Sequence, residues 1–259
     1  MRKLLVSLAA VGLVVTFAAP AGAAKGPLKV GTNLPAPGFW DGPSGGSKPE
    51  DINGGLEYDL SAAIAKKLGY DGVDVKNVSF DALVAGKARG FDLAFSQVTI
   101  TKERKKVVDF STPYFSSDQG ILVNKGTKVD ESNIKSTKWG VQTATTAQEY
   151  LKDKVKPDTD PKVYQETSQA FAALQAGQID AVLLDTAIVL QQASASNGQF
   201  EVVGQFKTGE KYGAVFNKGS KIEKKVNKAI KALRTDGTLA TLTADNIGGD
   251  PAKIPFLKP

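Results

Sequence analysis

Residues 91–115 read FDLAFSQVTITKERKKVVDFSTPYF, and this stretch decides the fold that we expect. Its first five residues are mostly apolar, which is typical of a buried strand. The polar residues Ser96 and Gln97 follow, and a helix is predicted to start at Thr101 and to carry Arg104 one turn in. Hydroxyl groups, the N–H groups of a helix start and a guanidinium group together suit a carboxylate. The stretch therefore predicts a carboxylate-binding edge at the end of a strand.

Strand and helix patterns alternate on either side of this stretch. Residues 28–32 and 73–78 have the alternation of short strands. Residues 60–68 place leucine and isoleucine on one helical face, and Gly69 ends that helix. This order of elements predicts an α/β protein.

One helix-to-strand unit occurs twice in the chain. FDALVAGKARGFD at 80–92 and FAALQAGQID at 171–180 each combine a short helix, a glycine stop and a buried strand that begins with aspartate. Two copies predict two lobes with related topology, although chance similarity between amphipathic helices is the alternative. Ligands of open α/β sheets bind beyond the carboxyl ends of the strands. Those ends are Ser96–Gln97 and Leu184–Asp185.

The division into lobes follows from this repeat. We expect a first lobe at 25–123, a second lobe at 124–213 and a return to the first lobe at 214–259. The chain would then cross between the lobes twice, near 121–125 and 206–214. Two extended crossovers make a hinge.

The N-terminal residues 1–24 read as a secretory signal peptide. Arg2 and Lys3 precede an apolar run, and the small-residue stretch PAGAA ends it at 20–24. A membrane anchor is the alternative, but the run is short for a spanning helix and its flank is unsuitable. The chain has no cysteine, so no lipid-modified cysteine follows the leader. We expect the mature protein to be free in the periplasm, or extracellular where there is no outer membrane.

Composition excludes several other classes of protein. The chain contains neither histidine nor cysteine. The usual general base, the classical catalytic triads and most zinc sites are therefore excluded, and we expect no metal and no cofactor. The formal net charge is +6, carried by lysines dispersed along the chain. Dispersed charge argues against a nucleic-acid partner, and we expect a monomer.

The opening stretch also resembles a known family, the extracellular solute-binding proteins of family 3, which deliver amino acids to ABC importers. That family has a small-polar run, Thr/Ser-Ile-Thr-x-x-Arg, and then Val-Asp-Phe-Ser-x-Pro-Tyr. This chain has TITKER at 99–104 and VDFSTPY at 108–114. The resemblance covers nearly all of the mature chain. It implies a two-lobed periplasmic binding protein fold of type II, with the ligand cleft between the lobes and a two-strand hinge.

The resemblance implies a receptor rather than an enzyme. Such a receptor binds a free amino acid, closes about its hinge and presents the closed form to the permease subunits of an ABC importer. Arg104 would hold the α-carboxylate, and Thr99 would add a hydroxyl and a backbone N–H. Asp185 would bind the α-ammonium group. A surface arginine at 104 and a helix N-cap at 185 are the simpler alternatives.

QTATT at 142–146 resembles the family pattern Gln-x-Gly-Thr-Thr. The resemblance implies that a helix start and a threonine hydroxyl close on the ligand carboxylate from the second lobe. Gln142, Thr145 and Thr146 are therefore candidate contacts, with an ordinary threonine N-cap as the alternative. Ala144 replaces the family's glycine and is strained if this position needs a positive φ.

Three aromatic residues are candidates for the wall of the pocket. Phe80 matches one of the family's stacking aromatics by position. Trp40 or Phe39 would replace a tyrosine of the early loop, where this chain has Ala36 instead. As core residues these rings would be unremarkable.

Specificity is less marked in the sequence. Asn33 stands where binders of cationic amino acids often have an acid, and Gln97 adds an amide in place of a small residue. Glu57 could reach a polar ligand side chain, although an acid in the first turn of a helix is its simpler role. Together these residues favour a polar, uncharged amino acid.

Two other functions stay open. Cyclohexadienyl dehydratases look like this family, and such a site needs a carboxyl group with a raised pKa as general acid. Glu57 and Asp185 are the pocket acids that the sequence nominates. A soluble sensor subunit would use the same closed form as a transport receptor, so the sequence does not separate the two roles.

Overall fold

Two five-stranded mixed sheets, each flanked by helices, form two lobes. The computed structural model describes residues 25–259, so the predicted signal peptide at 1–24 lies outside the described residues.

The chain first forms β1 (Leu28–Thr32), α1 (Leu56–Leu68), β2 (Val73–Asn77), α2 (Phe80–Val84), β3 (Leu93–Ala94), α3 (Arg104–Val107) and β4 (Val108–Phe110). It then forms β5 (Phe115–Asn124), β6 (Trp139–Gln142), α4 (Thr146–Tyr150), β7 (Lys162–Tyr164), α5 (Thr167–Gln175), β8 (Ala181–Asp185), α6 (Thr186–Ala195) and β9 (Phe200–Tyr212). The last elements are β10 (Val215–Asn217), α7 (Glu223–Thr235) and α8 (Thr238–Asn246).

The two sheets share one topology, as the sequence repeat predicts. Their strand orders are β2-β1-β3-β10-β4 and β7-β6-β8-β5-β9. In each sheet the first three strands are parallel to one another. The fourth strand, β10 in the first sheet and β5 in the second, is antiparallel to them. The carboxyl ends of the parallel strands therefore form equivalent edges in the two lobes, and these edges carry the site.

The aspartates of the repeat have the same structural role in both lobes. Asp92 accepts a hydrogen bond of 3.0 Å from the backbone N–H of Lys29, where β1 begins. Asp180 accepts one of 2.9 Å from the backbone N–H of Lys138, directly before β6. Each carboxylate thus satisfies an N–H group at the start of the neighbouring parallel strand.

The chain passes between the lobes close to residues 114 and 213. All of β5 pairs with strands of the second sheet, with Gln119 opposite Asp185, so the chain has left the first lobe before Phe115. On the return, the N–H of Tyr114 donates to the carbonyl of Tyr212 at 2.9 Å, which holds the two crossovers side by side. We propose these points as the limits of the lobes; the expected boundary at 123/124 falls within β5.

The C-terminal segment makes a further passage after α8. The N–H of Gln205 on β9 donates to the carbonyl of Pro255, and the N–H of Leu257 donates to the carbonyl of Gln205, each at 2.9 Å. The last residues therefore lie against the second lobe, whereas α7 and α8 pack on α1 in the first lobe.

Each lobe has an apolar core of its own. The first is centred on buried residues of α1 and α7, and the second on Trp139 together with β5 and β8. Of the helices in residues 25–259, none is both long and apolar enough to cross a membrane.

Candidate functional site

A cleft between the lobes lies at the carboxyl ends of the parallel strands and has a cavity volume of about 40 Å³. The structure brings nine of the ten predicted ligand contacts to it. From the first lobe these are Asn33, Phe80, Gln97, Thr99 and Arg104, and from the second Gln142, Thr145, Thr146 and Asp185. The fold places these nine residues around one cleft, and their binding of a ligand remains a prediction.

Arg104 is buried in this cleft with only 8% of its surface exposed. The predicted helix begins at Arg104 rather than at Thr101, because the Thr101 hydroxyl accepts the Arg104 N–H at 3.1 Å in a preceding turn. The guanidinium donates to the carbonyl of Thr99 at 2.8 Å and to that of Ala144 at 2.9 Å. It also lies 5.4 Å from the centre of the Phe80 ring.

Within residues 25–259, Arg104 forms no ion pair with a carboxylate. Burial lowers the pKa of Arg104, and the negative charges of Asp185 and Glu210 partly offset that effect. A buried guanidinium with hydrogen bonds only to carbonyl groups is not the surface arginine of the simpler interpretation. Its guanidinium can still donate hydrogen bonds to an anion in the cleft.

Asp185 ends β8 at the opposite wall of the cleft and is 5% exposed. It occupies the N-cap position of α6, but its side chain accepts no capping hydrogen bond. Its Oδ1 atom is buried and has no hydrogen-bond partner among the described residues. Burial and then the charge of Glu210 raise the pKa of Asp185 to about 8. The nearby Tyr212 hydroxyl acts against this rise in pKa. The unpartnered Oδ1 atom still favours a ligand contact over a helix cap, because a buried polar atom without a hydrogen bond is costly.

Glu210 on β9 is a residue beside the cleft that the sequence analysis missed. The hydroxyls of Thr99 and Thr146 both donate to its Oε2 atom, the second at 2.8 Å. The Gln119 side chain donates to Oε1 at 2.8 Å. A hydroxyl has one proton to donate, so neither threonine hydroxyl can at the same time donate to a ligand carboxylate. The groups left to bind a ligand carboxylate are the backbone N–H groups of the two threonines and the guanidinium of Arg104.

The loop before α4 matches the predicted cap and the predicted strain. Thr145 is the N-cap of α4: its hydroxyl accepts the N–H of Gln148 at 3.2 Å and donates to the carbonyl of Gln142 at 2.7 Å. Ala144 has φ 59°, the left-handed conformation in which glycine is unstrained. The Thr145 hydroxyl therefore supports the loop rather than pointing freely at a ligand.

Trp40 does not line the cleft, whereas Phe39 does. The Trp40 indole is fully buried and donates to Glu57 at 2.6 Å. The Glu57 carboxylate also accepts the backbone N–H of Gln97 at 2.8 Å, the side-chain amide of Gln97 at 2.6 Å and the Tyr114 hydroxyl. Burial raises the pKa of Glu57, and these four donors act against the rise. Glu57 therefore stabilises the cleft wall by hydrogen bonds and does not itself line the cleft.

Polar contacts of the other cleft residues also join the two lobes. The Asn33 side chain donates to Glu166 at 2.9 Å and accepts from Gln142 at 3.2 Å. Phe171 lines the cleft from α5, just as Phe80 lines it from α2. The sequence repeat aligns these two phenylalanines, and that alignment is the signal that could have nominated Phe171.

Among residues 25–259, no group of three histidine, cysteine, aspartate or glutamate side chains is placed to hold a metal ion.

The fold and the cleft define a two-lobed periplasmic binding protein of type II. The chain belongs to the bacterial extracellular solute-binding proteins, family 3, which it matches over residues 43–249. It is 33% identical over 204 residues to the L-cystine-binding protein TcyJ of Escherichia coli (strain K12), covering 77% of this chain and 76% of that one. It is 32% identical over 205 residues to the ABC transporter glutamine-binding protein GlnH of Bacillus subtilis (strain 168), covering 77% and 74% of the two chains.

Solved structures with the same architecture include two further binding proteins. An ancestral arginine-binding protein bound to glutamine has a TM-score of 0.74 at 36% identity, over 87% of this chain and 99% of that chain. An ancestral amino acid-binding protein described as a precursor of cyclohexadienyl dehydratase has a TM-score of 0.72 at 29% identity, over 85% and 95%.

Proposed function

We propose that this protein is an exported receptor that binds a free amino acid in the interlobe cleft and delivers it to the permease subunits of an ABC importer. One observation carries the proposal. Arg104 and Asp185 bring a guanidinium and a carboxyl group, both buried, into one cleft from opposite lobes, and no ion pair joins them in the described chain. A zwitterion supplies the two missing partners, because its carboxylate suits the guanidinium and its ammonium suits the carboxylate.

The rest of the cleft supports a polar, uncharged amino acid. Apart from Arg104 and Asp185, the lining side chains carry no charge, and amides stand at Asn33, Gln142 and Gln192. Amide groups donate to and accept from a neutral polar side chain without the cost of burying a further charge. The relative that binds glutamine is consistent with this class, while the arginine-binding relatives define the competing one.

We further propose that the mature protein acts as a soluble monomer outside the cytoplasmic membrane. The predicted signal peptide and the absence of cysteine from the sequence support export without a lipid anchor. The family description as extracellular solute-binding proteins supports the same location.

The test is calorimetry on mature protein that has been unfolded, freed of ligand and refolded. It is titrated with each of the twenty common amino acids and with L-cystine. One-to-one binding of glutamine or another neutral polar amino acid is the expected result. Binding of arginine or lysine alone would support the receptor function but contradict the preference for an uncharged amino acid. Binding of no amino acid would overturn the receptor function.

A dehydratase-like enzyme is the second candidate, favoured by the raised pKa of Asp185 and by the similarity to the dehydratase precursor. Such a site needs a carboxyl group that is protonated near neutral pH. Of the two acids that the sequence nominates, Asp185 lines the cleft and Glu57 does not. Incubation with a cyclohexadienyl carboxylate, followed by ultraviolet detection of an aromatic product, separates this enzyme from the receptor.

A further inference from the structure

The carboxylate of Glu210 joins the two lobes at the hinge side of the cleft. Thr99 belongs to the first lobe, and Thr146 is the first residue of α4 in the second lobe. Both hydroxyls donate to one oxygen atom of Glu210, which itself lies on the crossover strand β9. Gln119 on the other crossover strand binds the second oxygen. One side chain therefore connects both lobes and both strands that link them.

We infer that Glu210 is a positioning residue for cleft closure, whose carboxylate stabilises the closed form by binding Thr99 and Thr146 together. The inference rests on one part of the proposed function, namely that the two lobes close about their hinge on a small ligand. It assigns the two threonine hydroxyls to lobe closure rather than to the ligand.

The geometry makes this link specific to the closed form. Thr99 is held against β9 by a bridge to Tyr212, so it moves with the hinge. Thr146 stands on the far side of the cleft, 2.8 Å from the same carboxylate oxygen. When the lobes part, one oxygen atom cannot keep both donors at hydrogen-bond distance. Hydrogen bonds to a charged group are among the stronger ones, so their loss on opening favours closure.

Glu210 also sets the charge of the cleft. Its carboxylate is one of the causes that raise the pKa of Asp185 and that offset the lowered pKa of Arg104. Hydrogen bonds from Thr99, Gln119 and Thr146 stabilise this carboxylate beside the predicted ligand site.

The experiment measures the distance between the lobes in ligand-free protein. The chain has no cysteine, so Lys87→Cys and Lys152→Cys, both at exposed positions of opposite lobes, take spin labels at two unique sites. Double electron–electron resonance then compares wild type with Glu210→Gln. The matched control is Glu201→Gln on the same strand, whose carboxylate accepts the Gly126 N–H at 2.6 Å away from the cleft.

Glu210→Gln should lower the closed population relative to the open one about tenfold, because an amide replaces the charged acceptor. Glu201→Gln should leave the distance distribution unchanged. Thr146→Val should reproduce the effect of Glu210→Gln, and the double variant should show no further shift, because all three break one link. Melting temperatures of the ligand-free variants check that the fold is intact.

A distance distribution for Glu210→Gln that matches the wild type would overturn the inference. Additive shifts in the double variant would also overturn it, because Thr146 would then act through another contact. This measurement needs no ligand. Failure of the wild type to bind amino acids would remove the proposed function, whereas these distances test Glu210 alone.

Discussion

The guanidinium of Arg104 donates a hydrogen bond of 2.9 Å to the main-chain carbonyl of Ala144, a residue of the opposite lobe with φ 59°. The left-handed backbone at Ala144 accompanies a loop whose carbonyl faces the cleft, just before the helix that starts at Thr146. The arginine predicted to bind a ligand therefore also contacts the lobe that closes over it. The predicted ligand contact and a contact between the lobes thus involve the same side chain.

Arg104→Ala should weaken amino-acid binding at least 100-fold, because it removes the cleft's one cationic partner for a carboxylate and a contact between the lobes. Titration calorimetry measures the loss. Arg89→Ala is the matched control, since the Arg89 guanidinium binds exposed carbonyls on the first lobe. Tight binding by Arg104→Ala, with an intact fold, would remove the central claim.

Asp185 should release a proton when an amino acid binds near neutral pH. Its pKa of about 8 keeps the ligand-free carboxyl largely protonated at pH 7, and a ligand ammonium group favours the ionised form. Affinity should therefore rise with pH up to about 8. Calorimetry at pH 7 in buffers of different ionisation enthalpy counts the released proton, and Asp185→Asn should abolish the release. Equal losses of affinity for amino acids and for analogues without the amine would demote Asp185 to a structural residue.

The same carboxyl predicts how stability depends on pH in the ligand-free protein. Its pKa is raised from 3.8 to about 8 by folding, so between these values the folded protein keeps a proton that the unfolded chain releases. This group therefore lowers the free energy of unfolding as the pH rises from about 4 to about 8. Denaturant titrations of wild type and Asp185→Asn should diverge over this range, with the variant increasingly the more stable. Parallel curves would contradict the raised pKa.

Ala144→Gly should raise the free energy of unfolding by about 0.5–1 kcal/mol. A left-handed backbone costs an alanine about 1–2 kcal/mol, and the greater freedom of glycine in the unfolded chain cancels part of the gain. Gly86→Ala is the converse variant: Gly86 has φ 67°, and an added Cβ would lie 2.7 Å from the Val107 carbonyl oxygen. Urea denaturation should show opposite signs for the two, and a loss of stability in Ala144→Gly would refute the strain.

Glu57→Gln should lower the free energy of unfolding by about 2–3 kcal/mol. The buried carboxylate accepts from Trp40, Gln97 and Tyr114, and an amide would turn two of its own donors toward that cluster. The exposed Glu103→Gln is the control and should stay within about 0.5 kcal/mol of wild type. If Glu57 instead contacted the ligand, its variant would lose affinity with little change in denaturation midpoint.

Local patterns predicted much of the fold. Strand β1 runs over Leu28–Thr32, the range expected from its alternation, and α1 ends at Leu68, directly before the predicted stop at Gly69. The long strands β5 and β9 were not predicted as strands, and their partners lie far away in sequence. Register between distant strands is set by packing across the sheet, which local periodicity does not report.

The sequence by itself determined the two-lobed α/β class, the repeat, the position of Asp185 at a strand end and that of Arg104 in the polar segment after a strand. These features depend on periodicity and on local turn chemistry. Only the tertiary structure decided what the polar side chains contact. Glu57 is turned toward Trp40 behind the cleft, and Glu210 is brought between Thr99 and Thr146 by the pairing of β9 with β5. The residue type alone does not reveal the role of a glutamate, because that role depends on the hydrogen-bond donors that distant strands place around its carboxylate.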